Sequence, residues 1–287
     1  MMILIYRHLI LFFKDKSAIF FSLMAVFVVV GLYVSFLGEM MIGPLVDRFG
    51  NAARELSDNW IIAGTLGCVA LTTSMSALGI MIEDQAKHIN KDFYVSPIGN
   101  FKILFSYLIS TFIITLIISL IALLIGELYI VYYGGKWLTV HAFIKLIVMM
   151  FIIILSCVCV LLSIMVHFKS TSAFSNITTI VGTLSGFLMG IYVPIGALPS
   201  GLQNVIRFFP FSHGASLYRK IMMEDVMKRI FKDVPYSIRN NFKIEFGLDF
   251  QYESFKCNTF ISIIILSSLV LIFSLYLWTF SKNRHLK

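Results

Sequence analysis

Residue types that carry catalysis or metal binding are present in this chain, but their spacing fits no common reactive site. The four cysteines and six histidines form neither a Cys-x-x-Cys pair nor a cluster of the kind that holds zinc. Gly134-Gly135-Lys136 lacks the spacing of a phosphate-binding loop and the hydroxyl that should follow its lysine. A nucleophile elbow, a catalytic carboxylate pair and an HExxH motif are also missing. We therefore expect this chain to bind no metal or cofactor, and an enzyme is disfavoured.

The segment 83–97 places charges and apolar residues at helical spacing. Its acidic start and basic continuation follow the order that the helix dipole favours, and Glu83 and Lys87 form an i,i+4 pair. Ile89 and Phe93 continue an apolar stripe, and Pro97 ends the pattern. The segment is predicted to be a short amphipathic helix that either lies on lipid headgroups or docks into a partner's groove. The expected docking residues are Glu83, Asp84, Lys87, Ile89, Lys91, Phe93, Ser96 and Pro97.

A second stretch, 173–194, carries about 22 residues without a charge, enough to cross a hydrocarbon core about 30 Å thick. Gly182, Gly186 and Gly190 recur every four residues and predict a groove for close helix packing. The polar Asn176, Thr179 and Thr183 either line a wet path or, as an equally good structural alternative, bond the carbonyl one turn back.

The break after this stretch predicts a hinge. Pro194 and Pro199 remove backbone donors, and Gly196 and Gly201 permit turns. The apolar run 202–209 is too short to span and is interpreted as a segment that dips into the outer leaflet. The candidate residues of a path or gate are Asn176, Thr179, Gly182, Thr183, Gly186, Gly190, Pro194 and Pro199.

The elements that carry these residues belong to a membrane protein, because 59% of the residues are apolar and only 13% are charged. We expect an all-α polytopic protein with six transmembrane helices, an N-terminal interfacial helix over 1–16 and a small α/β external loop over 211–258. The predicted spans are 18–38, 60–82, 103–126, 146–166, 173–194 and 259–280. The net charge of +8 lies in tails and loops beside these spans, so anionic lipid rather than nucleic acid is the expected partner.

The external loop shows two local patterns. Glu224 and Asp225 pair at i,i+4 with Lys228 and Arg229, which predicts a surface helix. Apolar and polar residues then alternate over 242–252, which predicts strand structure with a bend at Gly247. Both basic tails are placed in the cytoplasm, since six spans put the two termini on one side of a cell membrane.

The residues of the predicted spans also limit how transport could be energised. The six predicted spans contain no Asp, Glu, Lys or Arg, whereas carriers coupled to ion or proton gradients normally hold an ionisable group near the midplane. Gradient coupling is therefore disfavoured, and the chain lacks a nucleotide-binding motif of its own.

Two motifs resemble one family. Glu83-Asp84 after the second span and Val95-Ser96-Pro97 before the third resemble the cytoplasmic coupling segment of the type-two ABC transporter permeases. The sequence GIYVPIGALPSGLQNVIRFFPFSHG, 190–214, is similar to the family's fifth-span signature. The resemblance implies an ATP-driven exporter in which two permeases, identical or different, pair with two separate ATPase subunits that dock on the coupling helices. ATP and Mg²⁺ would then be bound by the ATPase, and spans two and five would line a central path.

The expected substrate is amphipathic or apolar, such as a drug, a lipid or a hydrophobic peptide, because Phe, Met, Thr and Asn line the predicted path. Two alternatives remain at this point. One is a channel or gradient-driven carrier, and the other is a membrane protein that confers immunity or senses without transporting.

Overall fold

The computed structural model describes residues 1–38, 43, 50, 52–95, 98–168, 170–232, 234–252 and 256–283. Within these residues the chain is almost entirely helical, as its apolar composition predicts. The helices are α1 (Met2–Lys14), α2 (Lys16–Leu32), α3 (Ala52–Ala86), α4 (Ile89–Val95), α5 (Asn100–Tyr132), α6 (Val140–Met165), α7 (Thr171–Leu188), α8 (Ser200–Phe208), α9 (Pro210–Met222), α10 (Glu224–Ile230), α11 (Tyr236–Glu245) and α12 (Thr259–Asn283). A π-helical stretch, Tyr33–Leu37, continues α2.

Five of these helices are long and apolar enough to cross a membrane: α2 with its extension, α3, α5, α6 and α12. They correspond to the predicted spans 18–38, 60–82, 103–126, 146–166 and 259–280. The structure lengthens three of them, since α3 has 35 residues, α5 has 33 and α6 has 26. A polytopic membrane protein is thus confirmed.

The predicted fifth span is α7, which has 18 residues and does not belong to the five apolar helices. It ends at Leu188 rather than at Pro194. Gly190 adopts a left-handed conformation (φ 63°), and the Ile191 amide donates to the Gly186 carbonyl over 2.9 Å, which closes the last turn. The predicted count of six spans is therefore not confirmed, and the predicted boundary at Pro194 is wrong by six residues.

The long helix α3 forms the centre of the bundle. It packs against α2, α5, α6, α7 and α9, and most of its side chains are buried. A stripe of small residues on α3 allows this close approach: Ala63, Gly67, Ala70, Ser74 and Ala77. The Gly67 position lies against Ala215 of α9, and the Ser74 and Thr115 hydroxyls meet at 3.2 Å between α3 and α5. The stripe is buried along its length, as expected for helix packing.

The start of α3 corrects the sequence analysis. Arg54, Glu55 and Asp58 precede the predicted second span, 60–82, but they lie in the first two turns of this helix. Asp58 is buried, with its carboxylate 3.9 Å from the Arg54 guanidinium. The predicted spans contain no charged residue, but the observed helix extends beyond them and carries charged residues near its end. The segment 39–51 lies outside the described residues, apart from 43 and 50.

The external loop differs from its prediction in two places. Its first helix, α9, is not polar surface but a buried element between α3, α6 and α12. The alternating segment 242–252 does not form one long strand: its start, 242–245, is the end of α11, Gly247 turns the chain (φ 66°), and Phe250–Gln251 form a short strand. The apolar positions 242, 244 and 246 also include an i,i+4 pair. Phe242 and Phe246 stack on one helix face, with centroids 4.2 Å apart. The described sheet has two short antiparallel strands, Phe250–Gln251 and Lys256–Cys257.

Two local predictions are confirmed. The surface helix exists as α10, where the Lys228 ammonium lies 2.6 Å from the Glu224 carboxylate. The short broken segment after Pro199 exists as α8. The four cysteines are buried free thiols, as expected from their apolar surroundings.

Candidate functional site

A cavity of about 770 Å³ lies between α1, α2, the end of α3 and the start of α7. It brings together two predicted sets of residues, because Glu83, Asp84, Lys87 and Ile89 of the docking segment share its wall with Gly182 of the gate. Its remaining lining includes Arg7, Leu11, Phe12, Asp15, Ser17, Ala18, Phe21, Ser22, Thr72, Met75, Ser76, Gly79, Ile80, Phe174 and Thr178. The volume falls in the range of about 300–1,000 Å³ that is usual for small-molecule sites.

One wall of the cavity is held by a partly buried ion pair that sequence reasoning did not foresee. Arg7 of α1 donates two hydrogen bonds to the Asp84 carboxylate, at 2.7 and 2.8 Å. The Tyr107 hydroxyl of α5 donates to the same carboxylate at 2.6 Å. Asp84 is only 3% exposed, so its carboxylate faces the bundle and ties α1, α3 and α5 together. The structure gives Asp84 an internal contact rather than a position on the docking surface.

The neighbouring His8 also turns inward. Its ring stacks on Tyr107 with centroids 4.2 Å apart, and its Nδ1 lies 3.2 Å from the Ser110 hydroxyl. Burial lowers the pKa of His8 to about 4, and the hydrogen bond to Asp84 raises the pKa of Arg7 above its usual value. His8, in the predicted interfacial helix 1–16, is therefore buried in the bundle and does not face the lipid headgroups.

The docking segment forms two helices rather than one. The helix α3 continues through Glu83 and ends at Ala86, a turn containing His88 at φ 60° follows, and α4 begins at Ile89. The predicted Glu83–Lys87 pair is present at 3.0 Å, and both side chains are largely exposed. The predicted residues Ser96 and Pro97 lie outside the described residues.

Arg7 connects this segment to the cavity wall. Its guanidinium lies over the Phe93 ring of α4, 5.3 Å from the centroid, while it binds Asp84. Lys91 is exposed on the outer side of α4, and Ile89 is half-buried beside the cavity. A protein that binds the exposed side of α4 would therefore act on a helix that contacts α1 directly.

The predicted gate residues do not share one role. Asn176, Thr179 and Thr183 are exposed on α7. The Thr179 hydroxyl donates to the Ser175 carbonyl at 2.9 Å and that of Thr183 to the Thr179 carbonyl at 3.0 Å, which is the geometry of the structural alternative. These hydroxyls do not line the cavity in the described structure.

The three glycines that were predicted to form one packing groove also have different roles. Gly182 borders the cavity with open space in front of it, whereas Gly186 lies against the ring of Tyr192 in the turn after α7. Gly190 forms the left-handed turn itself. Pro194 precedes the short helix Ile195–Ala197, and Pro199 precedes α8. Thus the predicted single groove contains one cavity residue, one packing contact and one turn.

The C-terminal end of α7 is held by Arg219 of α9, which sequence reasoning missed. Arg219 is buried, donates to the carbonyls of Met189 and Gly190 at 2.6 and 2.9 Å, and lies over the Trp60 ring, 4.8 Å from the centroid. A cation at the C-terminal end of a helix is favoured by the helix dipole. The signal was an arginine among apolar residues, but it lay in a stretch assigned to an exposed loop.

Comparison with known proteins gives one finding. A family model described as ABC-2 family transporter protein matches residues 51–282, which includes the docking segment, α7, the buried α9 and α12. A search of curated proteins found no match to the chain. The matched region does not include α1 and α2, which form two sides of the cavity.

Proposed function

Because this chain belongs to the ABC-2 family of transporter proteins, we propose that it is the membrane subunit of an ATP-driven exporter of amphipathic or hydrophobic compounds. The cavity of about 770 Å³ carries this proposal, since charged and apolar side chains line the same space beside the docking segment. In this proposal the substrate enters the cavity, and a separate ABC ATPase provides the energy.

Contact geometry suggests how the energy would reach the cavity. The ATPase would bind the exposed side of α4 and the adjacent turn, with Glu83, Lys87 and Lys91 as the charged contacts. Movement of α4 would reach α1 through Phe93 and Arg7, and it would reach α3 and α5 through Asp84 and Tyr107. Asp84 and Arg7 are therefore positioning residues in this proposal, and they act through the helices that they join.

The assembly would contain two permease copies, identical or different, and two ATPase subunits that bind ATP and Mg²⁺. The exposed polar face of α7, with Asn176 and Thr179, supports a second permease on that side, because polar groups that face lipid are costly. The chain would lie in the cell membrane with α7 as a sixth crossing, both termini in the cytoplasm and α10 outside.

The direct test is assembly and coupled turnover. The tagged chain is co-expressed with candidate ABC ATPase subunits and purified, and ATP hydrolysis is measured in nanodiscs. We expect co-purification, and we expect Phe93→Ala or a Glu83→Lys, Lys91→Glu double variant to reduce both co-purification and stimulated hydrolysis several-fold. Asp225→Lys on the far end of the protein is the matched charge-reversal control and should change neither.

Two results would count against the proposal. One is that no ABC ATPase co-purifies with the unaltered chain under conditions in which the chain is folded. The other is that the docking variants leave assembly, hydrolysis and ATP-dependent uptake into inverted vesicles unchanged. Either result would favour a channel, a gradient-driven carrier or a non-transporting protein.

A further inference from the structure

Several basic side chains meet around one carboxylate at the end of the bundle where α12 begins. The Asp249 carboxylate lies 2.8 Å from the Lys220 ammonium of α9 and 3.0 Å from the Lys256 ammonium of the strand Lys256–Cys257. Lys256 also donates to the side chain of Asn240, which brings α11 to the same place. Two lysines thus share one carboxylate, so one of their two positive charges is not compensated by it.

Two further cations lie beside these lysines without an acidic partner. Arg239 and Lys243 are one turn apart on one face of α11. Among the described residues neither forms an ion pair, and the Arg239 Nε is buried without a hydrogen-bond partner. Burial lowers the pKa of Lys243, and the three neighbouring cations lower it further against the opposing charge of Asp249. Lys220, Arg239, Lys243 and Lys256 together form the basic cluster.

The nearby described acids do not supply the missing negative charge. Glu245 lies two residues after Lys243, so it leaves the opposite side of α11, where it lies against Gly196. Glu224 of α10 is already paired with two other lysines. Within the described residues the basic cluster therefore has four positive charges around one carboxylate, an excess that favours a bound anion.

The position of the basic cluster at a helix end indicates which anion can reach it. Lys256 lies three residues before α12, a helix long and apolar enough to cross a membrane. Two large side chains of α11 near Arg239 are exposed, since Tyr236 is 79% exposed and Ile238 is 52% exposed. Basic and large apolar side chains exposed on one helix beside a membrane span are typical of contact with a lipid surface. The cluster is open on one side, because the Lys256 side chain is 34% exposed.

We propose that the basic cluster binds the phosphate of an anionic phospholipid in the leaflet at this end of the bundle. The phosphate lies beside Arg239 and Lys243, which lack an acidic partner, and the two lysines on Asp249 add to the attraction. This site goes beyond the proposed transport function and does not depend on it, because it lies outside the cavity and away from the docking segment. A zwitterionic phospholipid carries no net charge and would not compensate the excess.

The preference for anionic lipid is tested with the full chain in nanodiscs. Tyr236→Cys carries a bimane fluorophore, and labelling there is selective because the four native cysteines are buried. Quenching is compared for phosphatidylglycerol and phosphatidylcholine that carry the same spin label near the headgroup, each mixed into unlabelled phosphatidylcholine. Each basic residue beside an anionic lipid contributes roughly fivefold, so we expect phosphatidylglycerol to bind beside α11 about 25-fold more tightly. Equal quenching by the two lipids would overturn the proposal.

Two matched double variants locate the site. Arg239→Gln with Lys243→Gln removes two charges from α11, keeps good helix formers and should make binding of the two lipids nearly equal. Lys228→Gln with Arg229→Gln removes two charges from α10, where both are paired with acids, and should leave the preference unchanged. Quenching by phosphatidylcholine should be the same in both variants, which shows that α11 keeps its place. A preference that survives in the α11 variant, or that is lost equally in both, contradicts the assignment to this cluster.

Free phosphate is the other source of the same chemistry. Inorganic phosphate is added to the nanodiscs at constant ionic strength. We expect it to leave the quenching by phosphatidylglycerol unchanged, because a lipid held in the bilayer has a much higher effective concentration beside α11. Displacement of the lipid by millimolar phosphate would assign the cluster to a soluble anion and end the lipid assignment. All these measurements use the permease without an ATPase, so their failure is separate from a failure of the co-purification experiment.

Discussion

Arg7 and Arg219 are held in different ways, although both contact the central helix α3. At the cavity end, Arg7 meets a carboxylate, Asp84, and its side chain remains 29% exposed. At the other end, Arg219 is fully enclosed and meets only carbonyls and the Trp60 ring. Among the described residues no carboxylate pairs with Arg219.

This difference indicates which end of the bundle can move. A partly exposed ion pair can open because water replaces its partners at modest cost. An enclosed arginine that is held by fixed backbone carbonyls has no such replacement, and separating it would leave a buried charge without partners. We therefore expect α7 to be anchored at its outer end by Arg219 and to pivot there, while the cavity end, with α1 and α4, changes its contacts.

The largest expected effect comes from removing the anchor. Arg219→Ala leaves the carbonyls of Met189 and Gly190 unpaired and opens a cavity under Trp60, so the stability loss should be about 3–5 kcal/mol. The midpoint of thermal unfolding in a fixed detergent measures it. Lys228→Ala, which removes an exposed positive charge on α10, is the matched control. A small loss for Arg219→Ala, similar to the control, would erase the contrast between the two ends.

The second effect concerns the ion pair. Asp84→Asn keeps the side-chain shape but removes the charge that Arg7 and Tyr107 share, which should cost about 2 kcal/mol, less than the anchor because Arg7 is partly hydrated. Because Asp84 joins α1 to α3 and α5, the variant should also let α1 separate from these helices. Thiol labelling of a buried Phe12→Cys position measures this release. Labelling that stays slow in the Asp84→Asn background would show that α1 is held by other contacts.

The packing of α1 against the rest of the helix bundle should also depend on pH, because His8 is buried there. Burial lowers its pKa to about 4 in the folded protein, below the value near 6.5 of an exposed histidine. Between these pH values the form in which α1 is detached binds more protons than the packed form. The packing of α1 is therefore fully stable above about pH 6.5 and weakens as the pH falls towards 4. At one pH unit below 6.5 the loss should be about 1.4 kcal/mol.

The same Phe12→Cys labelling, followed from pH 7 to 5, measures this dependence. His8→Gln should remove it, although it also removes the stacking on Tyr107. An equally steep pH dependence in the His8→Gln variant would assign the effect to another group.

The smallest effect is expected at the exposed pair beside the cavity. Glu83→Gln breaks an i,i+4 contact worth about 0.3–0.5 kcal/mol, so the unfolding midpoint should move by no more than about 2 °C. The same variant is expected to alter ATPase stimulation, because Glu83 is one of the proposed ATPase contacts. A large stability loss would mean that the pair is structural and would weaken its assignment to docking.

The sequence predicted what depends on local pattern. Five apolar helices, the surface helix with Glu224 and Lys228, and the break after α7 all follow from composition, charge spacing and turn residues. Of the strand predicted over 242–252, only Phe250–Gln251 is strand and 242–245 is helical, because a period of two also contains the i,i+4 spacing of Phe242 and Phe246. A short alternating segment cannot distinguish the two until its neighbours are known.

The site residues were predicted only in part, because their contacts are distant in sequence. Asp84 was recognised as important, but its partner Arg7 lies 77 residues away, so its inward direction could not be read from the local pattern. Arg219 was missed because α9 was assigned to an exposed loop from its polar composition. Its role depends on the carbonyls at the end of α7, about 30 residues earlier in the chain.

The most direct test of the pivot is a pair of distances measured between spin labels in the complex with its ATPase, with and without ATP. The inner pair joins Asn176→Cys on α7 to Phe101→Cys on α5, and the outer pair joins Phe187→Cys on α7 to Tyr132→Cys on α5, all exposed positions. We predict that ATP changes the inner distance by several ångströms and leaves the outer distance within about 1 Å. An outer distance that changes as much as the inner one, or an inner distance that stays constant, would contradict the pivot at Arg219.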